Sequence, residues 1–237
     1  MSATAPGAVV GRVPDVVAVA GLARLSTCDW PGRLVATVFL QGCPWRCTYC
    51  HNPELLDPGR PAQVSWASVR DFLRHRRGLL DAVVFSGGEP MRQSGVGQAM
   101  EDVRELGFAV GLHTAGAYPK RLAELLPLVD WVGLDIKGLP SEYAAVTGVP
   151  ASAAKAYESL AAVIAAGVDH EVRITLDPEM HTDDGVRTLV ERLRQSGVSR
   201  IVLQEARLPL RTPRAPLRVL ASPPPGVVVR RADATAS

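Results

Sequence analysis

Short apolar runs rich in β-branched residues alternate along the chain with longer segments of helical period. That alternation constrains the fold most, because it is the pattern of parallel βαβ units. It predicts strands at Leu34–Leu40, Ala82–Ser86, Phe108–His113, Trp131–Asp135, Glu171–Thr175 and Arg200–Gln204. Helices are predicted between them at Ser65–Arg77, Gly97–Leu106, Pro119–Leu126, Ala153–Ala166 and Asp183–Ser196. Ser65 suits an N-cap, and Gly78, Gly107, Gly167 and Gly197 stand where a helix C-terminus favours glycine. Six strands with right-handed crossovers predict an incomplete (β/α)6 TIM-like barrel of parallel strands, short of the full eight. Periodicity alone leaves a doubly wound sheet open.

In either arrangement the C-terminal strand ends share one site. Here those ends carry Gln41-Gly42-Cys43, Ser86-Gly87-Gly88-Glu89-Pro90, His113-Thr114, Asp135-Ile136-Lys137, Arg173-Ile174-Thr175 and Gln204-Glu205. The chemically suggestive residues thus gather at one end of the predicted sheet.

A chain of 237 residues with 47% hydrophobic content can build one sizeable core, so a single domain over residues 1–205 is expected. Residues 206–237 form a basic Pro/Arg-rich extension in which Arg207, Arg211, Arg214, Arg218, Arg230 and Arg231 face one acid, Asp233. Pro209, Pro213, Pro216 and Pro223-Pro224-Pro225 prevent it from propagating a helix or central strand. A loosely packed extension is expected, whose removal from Ala206 onward leaves the site intact. The net charge of +2 gives no argument for a nucleic-acid partner. No stretch approaches the ~20 apolar residues of a membrane helix, and no basic region precedes an apolar run as in a signal peptide. Four cysteines, three of them clustered, do not make a secreted disulfide framework. The expected location is the cytoplasm, with reduced thiols.

Those three clustered cysteines lie in Cys43-Pro44-Trp45-Arg46-Cys47-Thr48-Tyr49-Cys50. Three thiolates can hold three corners of a cubane 4Fe-4S cluster and leave the fourth iron open to a small molecule, whereas electron-transfer clusters take four. Zinc is the alternative, completed by Cys28 or His51. Arg173 interrupts an apolar strand and needs a buried anion to offset its desolvation. Alternation places Asp135 and Lys137 on one face of their strand, where a surface ion pair is the plainer reading.

The C-x3-C-x2-C spacing, with Phe39-Leu40-Gln41-Gly42 before it and His51-Asn52-Pro53-Glu54-Leu55-Leu56 after it, resembles the radical S-adenosylmethionine enzymes. Within them it is most similar to the glycyl-radical-enzyme activases, above all those of anaerobic ribonucleoside-triphosphate reductase. The resemblance runs from about Val17 to Gln204. It implies that Cys43, Cys47 and Cys50 hold a 4Fe-4S cluster whose open iron chelates S-adenosyl-L-methionine. It further implies that Tyr49 sits near the adenine and that Gly87, Gly88 and Glu89 receive the methionyl ammonium. Asp135 and Lys137 would contact ribose and carboxylate, with Arg173 a second partner for the carboxylate. Thr114 and Gly116 match an Asp-Thr-Asn-Gly element, but His113 and Ala115 depart from it, so no carboxylate role carries over there. His51 stays open between a hydrogen-bond donor tuning the cluster and a surface polar residue.

The activity so implied is reductive cleavage of S-adenosylmethionine, fed by a flavodoxin- or ferredoxin-type reductant. It ends in a glycyl radical on a partner enzyme. A pyruvate formate-lyase-like partner is the alternative, as is a radical enzyme acting on a small molecule such as a deazapurine precursor. A zinc or iron–sulfur binding module without catalysis is the non-enzymatic reading.

Overall fold

A computed structural model of the chain describes residues 16–206 and 215–231. Arg207, Pro209, Arg211, Pro213, Arg214 and Asp233 of the basic extension lie outside the described residues. Eight strands form one sheet in sequential order: β1 (Val19–Ser26), β2 (Val35–Leu40), β3 (Ala82–Gly87), β4 (Ala109–Thr114), β5 (Trp131–Asp135), β6 (Asp169–Leu176), β7 (Ile201–Glu205) and β8 (Val228–Arg230). β1 runs antiparallel to β2, and every later neighbouring pair is parallel. Sequential order without a reversal point is the order of a barrel and not of a doubly wound sheet. β1 and β8 are not paired with each other, so the sheet is open.

The helices are α1 (Trp66–Arg74), α2 (Val96–Glu105), α3 (Pro119–Leu125), α4 (Tyr143–Thr147), α5 (Ser152–Ala166) and α6 (Asp183–Gln195). Ser65 caps α1 by accepting a hydrogen bond from Ser68 N, and Thr182 caps α6 by accepting one from Gly185 N. Strand residues of one parity, among them Val38, Phe85, Leu112, Leu134 and Ile174, pack with Val69, Met100, Leu160 and Leu189 of the helices in the main core. Fully burying such a side chain contributes about 1.5–3 kcal/mol. Residues of the other parity form a small apolar floor of Val35, Ala82, Val84 and Trp131, closed by Trp30. The Trp30 and Trp131 rings stack with centroids 5.3 Å apart. Farther along the strands that same face becomes polar.

The six expected strands correspond to β2–β7. The extension differs from the loose packing expected of it. Among its described residues, Val219 and Leu220 are buried against α6, and β8 adds an eighth strand beside β7. Val219 N donates to Asp183 Oδ1 at 2.7 Å, and Arg231 donates to Leu220 O at 3.0 Å.

Candidate functional site

The site begins where β2 and β3 end side by side, with Leu40 in register with Gly87. Gly88 N donates to Leu40 O at 2.9 Å and Glu89 N to Gly42 O at 2.9 Å. The two loops therefore meet backbone to backbone. A Cβ on Gly87 would lie 2.3 Å from Leu40 N, and one on Gly88 would lie 2.4 Å from Gly42 O. Gly87 also has φ +109°, a region that side chains rarely adopt. The segment after β2 closes on itself through Gly42 N to Leu55 O (2.8 Å) and Cys43 N to Leu56 O (3.1 Å). The cysteine loop is thus tied at both ends by main-chain bonds.

Cys43, Cys47 and Cys50 are half-buried and line one cavity of about 180 Å³ together with Tyr49, Gly87, Gly88 and Thr114. Asp135, Lys137 and Arg173 form a charged part of the same lining. Cys28 lies elsewhere and is exposed. Burial pushes the Cys43 thiol up to about 12, opposed by the Trp45 backbone N–H, and burial raises Cys50 as well. Such thiols ionise when a metal bonds the sulfur directly. Among the described residues no three His, Cys, Asp or Glu side chains converge on a single-ion site. The thiols instead surround a cavity.

Tyr49 is buried, and its hydroxyl has no hydrogen-bond partner. A buried orphan hydroxyl costs about 1–3 kcal/mol, and here it belongs to a residue that lines the cavity. The Lys137 ammonium lies 5.8 Å from the centre of the Tyr49 ring.

The charged side is a connected triad. Arg173 Nε donates to Asp135 Oδ1 at 2.9 Å, and Lys137 Nζ donates to Asp135 Oδ2 at 3.4 Å. Arg173 also donates to Gly133 O at 3.1 Å. Burial alone would raise the Asp135 pKa, but Arg173 and then Lys137 outweigh it and hold the carboxyl below its usual range. Burial would likewise lower Lys137; Cys47 and Asp135 reverse that and keep it well above the ordinary lysine value. Lys137 is buried and Asp135 half-buried at the cavity, so the pair is not the exposed surface ion pair held as the alternative. Arg173 finds its anion within the chain, in Asp135, so its burial by itself demands no ligand carboxylate.

Glu89 is placed differently from its expected part. It is fully buried outside the cavity lining and already accepts from Met91 N (3.1 Å), Thr114 Oγ1 (2.7 Å) and Ala115 N (2.9 Å). Burial raises its pKa despite those three donors. Its carboxylate ties β3 to the end of β4, and the neighbouring Gly87 and Gly88 present bare backbone to the cavity. His51 is exposed at the cavity rim beside Asn52.

His113 faces the same cavity. Its Nε2 lies 2.7 Å from Asp29 O, a carbonyl that only accepts, so Nε2 carries the proton and Nδ1 accepts from Ser86 Oγ at 3.2 Å. Burial, reinforced by Arg173, lowers its pKa to about 3 and keeps the ring neutral. Trp45, Ser86 and Thr175 also line the cavity; the sequence placed Ser86 and Thr175 among the strand-end residues but gave none of the three a role of its own. Trp45 is apolar and reads as core; strand parity relative to Asp135 and Arg173 was the available signal for the other two. Thr175 donates to Gln204 at 3.4 Å, and Gln204 itself stays off the lining.

A protein of Methanocaldococcus jannaschii, named as a candidate glycyl-radical enzyme activating enzyme, is 35% identical over 125 residues, 50% of each chain. The pyruvate formate-lyase-activating enzyme of Clostridium pasteurianum is 32% identical over 149 residues, 59% of this chain and 58% of that protein. A 7-carboxy-7-deazaguanine synthase of Thermococcus kodakarensis is 31% identical over 128 residues, 45% of this chain and 50% of that one. The chain thus spans about half the length of the curated relatives it matches. Among solved structures, Streptococcus suis SuiB bound to S-adenosylmethionine superposes with a TM-score of 0.61 at 13% identity, over 81% of this chain and 48% of that one. The fold is shared with it. The radical SAM superfamily model matches residues 37–193, about two thirds of the sequence, and the chain belongs to that superfamily.

Proposed function

We propose that this chain is a radical S-adenosylmethionine activase that installs a glycyl radical on a partner enzyme, with anaerobic ribonucleoside-triphosphate reductase as that partner. One observation carries the reading: three cysteine thiols and the Lys137–Asp135–Arg173 triad line one and the same cavity. Three sulfur donors facing two cations and bare glycine backbone fit a 4Fe-4S cluster with one open iron and a zwitterionic amino-acid ligand upon it. When bound, that pair supplies one-electron cleavage of the S–C5′ bond and abstraction of a hydrogen atom from a glycine α-carbon.

The chain's own residues hold and orient. Cys43, Cys47 and Cys50 bind the cluster. The backbone at Gly87 and Gly88 receives the methionyl ammonium, a part the satisfied Glu89 carboxylate leaves to it. Lys137 attracts the carboxylate, Asp135 accepts from ribose hydroxyls, and the Tyr49 hydroxyl offers an unused hydrogen bond near the adenine. Thr114 holds Glu89 at one edge, and Arg173 keeps Asp135 ionised. The relatives named as activases support the glycyl-radical partner. The run Cys50-His51-Asn52-Pro53-Glu54-Leu55-Leu56, which closes the cysteine loop, favours the ribonucleotide reductase branch. The electron comes from a flavodoxin- or ferredoxin-type carrier. Among the described residues no helix is long and apolar enough to cross a membrane.

Anaerobically reconstituted protein should carry about four iron and four sulfide per chain. Given S-adenosylmethionine and a one-electron reductant, it should release 5′-deoxyadenosine and leave a doublet radical signal on its partner. Cys43→Ala, Cys47→Ala and Cys50→Ala should each abolish cluster binding, and Cys28→Ala should keep it. One zinc per chain, or a requirement for Cys28, sinks the cluster assignment. The deazaguanine synthase relative favours a second reading, action on a small nucleobase precursor. Turnover of such a precursor with no radical on any protein would establish it in place of the first.

A further inference from the structure

Glu171 is a fully buried carboxylate that the proposed chemistry does not use. Arg230 of β8 grips it with both nitrogens, Nη1 to Oε1 at 2.7 Å and Nη2 to Oε2 at 3.0 Å. Arg200, half-exposed, adds one contact at 3.3 Å. Glu171 stands two residues before Arg173 on β6. The two share a strand face at a spacing of about 6.6 Å, within the reach of an arginine side chain. Arg173 therefore has two carboxylates to choose from. It pairs with Asp135, and Asp135 in turn holds Lys137.

We propose that Arg230 is a positioning residue for the cavity: by saturating Glu171 it leaves Arg173 on Asp135, so the C-terminal strand fixes the charged side of the site from a distance. Without Arg230, Glu171 is left buried with one partial partner, and a buried carboxylate strongly favours a bidentate guanidinium. Arg200 touches it from an exposed position, and Arg173, two residues along the same face of β6, is the buried guanidinium beside it. Its departure would release Asp135 to draw Lys137 away from the cavity. The inference rests on reading that cavity as the S-adenosylmethionine site.

The test is the suppressor pair Arg230→Gln and Glu171→Gln in the full, anaerobically reconstituted chain, read by crystallography and by equilibrium binding of S-adenosylmethionine. In Arg230→Gln the Arg173 guanidinium should turn to Glu171, and affinity should fall by about tenfold, the scale of one lost charge-assisted contact. Iron content should not change. Glu171→Gln alone should bind as the parent does, and the double variant should recover affinity to within about twofold. Arg173 remaining on Asp135 in Arg230→Gln, or a double variant no better than the single, overturns the proposal; the position of Arg173 separates it from a merely structural ion pair, whose loss Glu171→Gln would also relieve. Where Arg230→Gln fails to fold, a folded double variant with Arg173 on Asp135 supports the proposal, and a double variant that also fails to fold overturns it. A parent protein that does not bind S-adenosylmethionine removes the functional reading instead, and the position of Arg173 still decides this inference.

Discussion

His113 shows how far one side chain's environment decides its chemistry. Its ring edge meets Trp131 at 5.7 Å, its two nitrogens are committed to Asp29 O and Ser86 Oγ, and Arg173 stands nearby. The unfolded chain takes up a proton at this residue near pH 6.5, whereas the folded one resists until about 3. Between those values the unfolded state binds more protons, so stability rises with pH and is lost progressively as pH falls through that window. Urea midpoints measured from pH 7 to pH 4 should therefore drop more steeply for the parent than for His113→Gln; parallel curves would show that the ring is freely protonated. At this scale the sequence was legible where strand parity applied. Asp135 and Lys137 were placed on one face by counting, and their contact follows. The part of Glu89 was not legible, because its three donors come from segments 2, 25 and 26 positions away, and no local pattern encodes them.

Among the elements, the β2 and β3 ends depend most on backbone. Gly87→Ala puts a methyl group into the Leu40 main chain at a φ that alanine disfavours. It should lower the thermal midpoint and the iron content together, since the displaced loop carries Cys43. A variant that keeps full iron would show that the cysteine loop does not depend on this contact. β2–β7 were legible because each carries a short apolar stretch that packs in the main core, even where polar residues such as His113 and Arg173 occupy the other face. β1 was not: Gly21 and Arg24 interrupt it, and its burial is only partial. β8 escaped because three residues in a proline-rich stretch carry no period. That omission reverses one expectation. A chain ending at Ala206 loses β8, buried Val219 and Leu220, and the partner of Glu171. Its melting temperature should fall, and its affinity for S-adenosylmethionine should fall with it; an unchanged affinity would return the extension to a passive role.

For the whole molecule, the main core runs between sheet and helices, and Cys43 and Cys47 only pack against its edge. Stripping the iron anaerobically with a chelator should therefore leave far-ultraviolet circular dichroism and a cooperative unfolding transition, with the midpoint lowered by a few degrees. Collapse to an unfolded chain, as in small zinc domains, would mean that the cluster and not the core holds the fold. The sequential strand order was readable from the alternation of elements. That the sheet stays open was readable only as a deficit of strands, and the actual edges, β1 and β8, came from the two segments least like the rest.

The clasp between Arg230 and Glu171 also has a consequence for synthesis. Domains begin to form as the chain leaves the ribosome, N-terminal parts first. A nascent chain that has emerged through β7 carries all four cysteines and every parallel strand but the last, yet its interior carboxylate has only Arg200 for company. The bidentate clasp on Glu171 forms when residues 228–230 arrive. Cysteines made early and a clasp closed late give the translating cell an interval in which the thiols are present before the Glu171 pairing proposed to fix the charged part of their cavity.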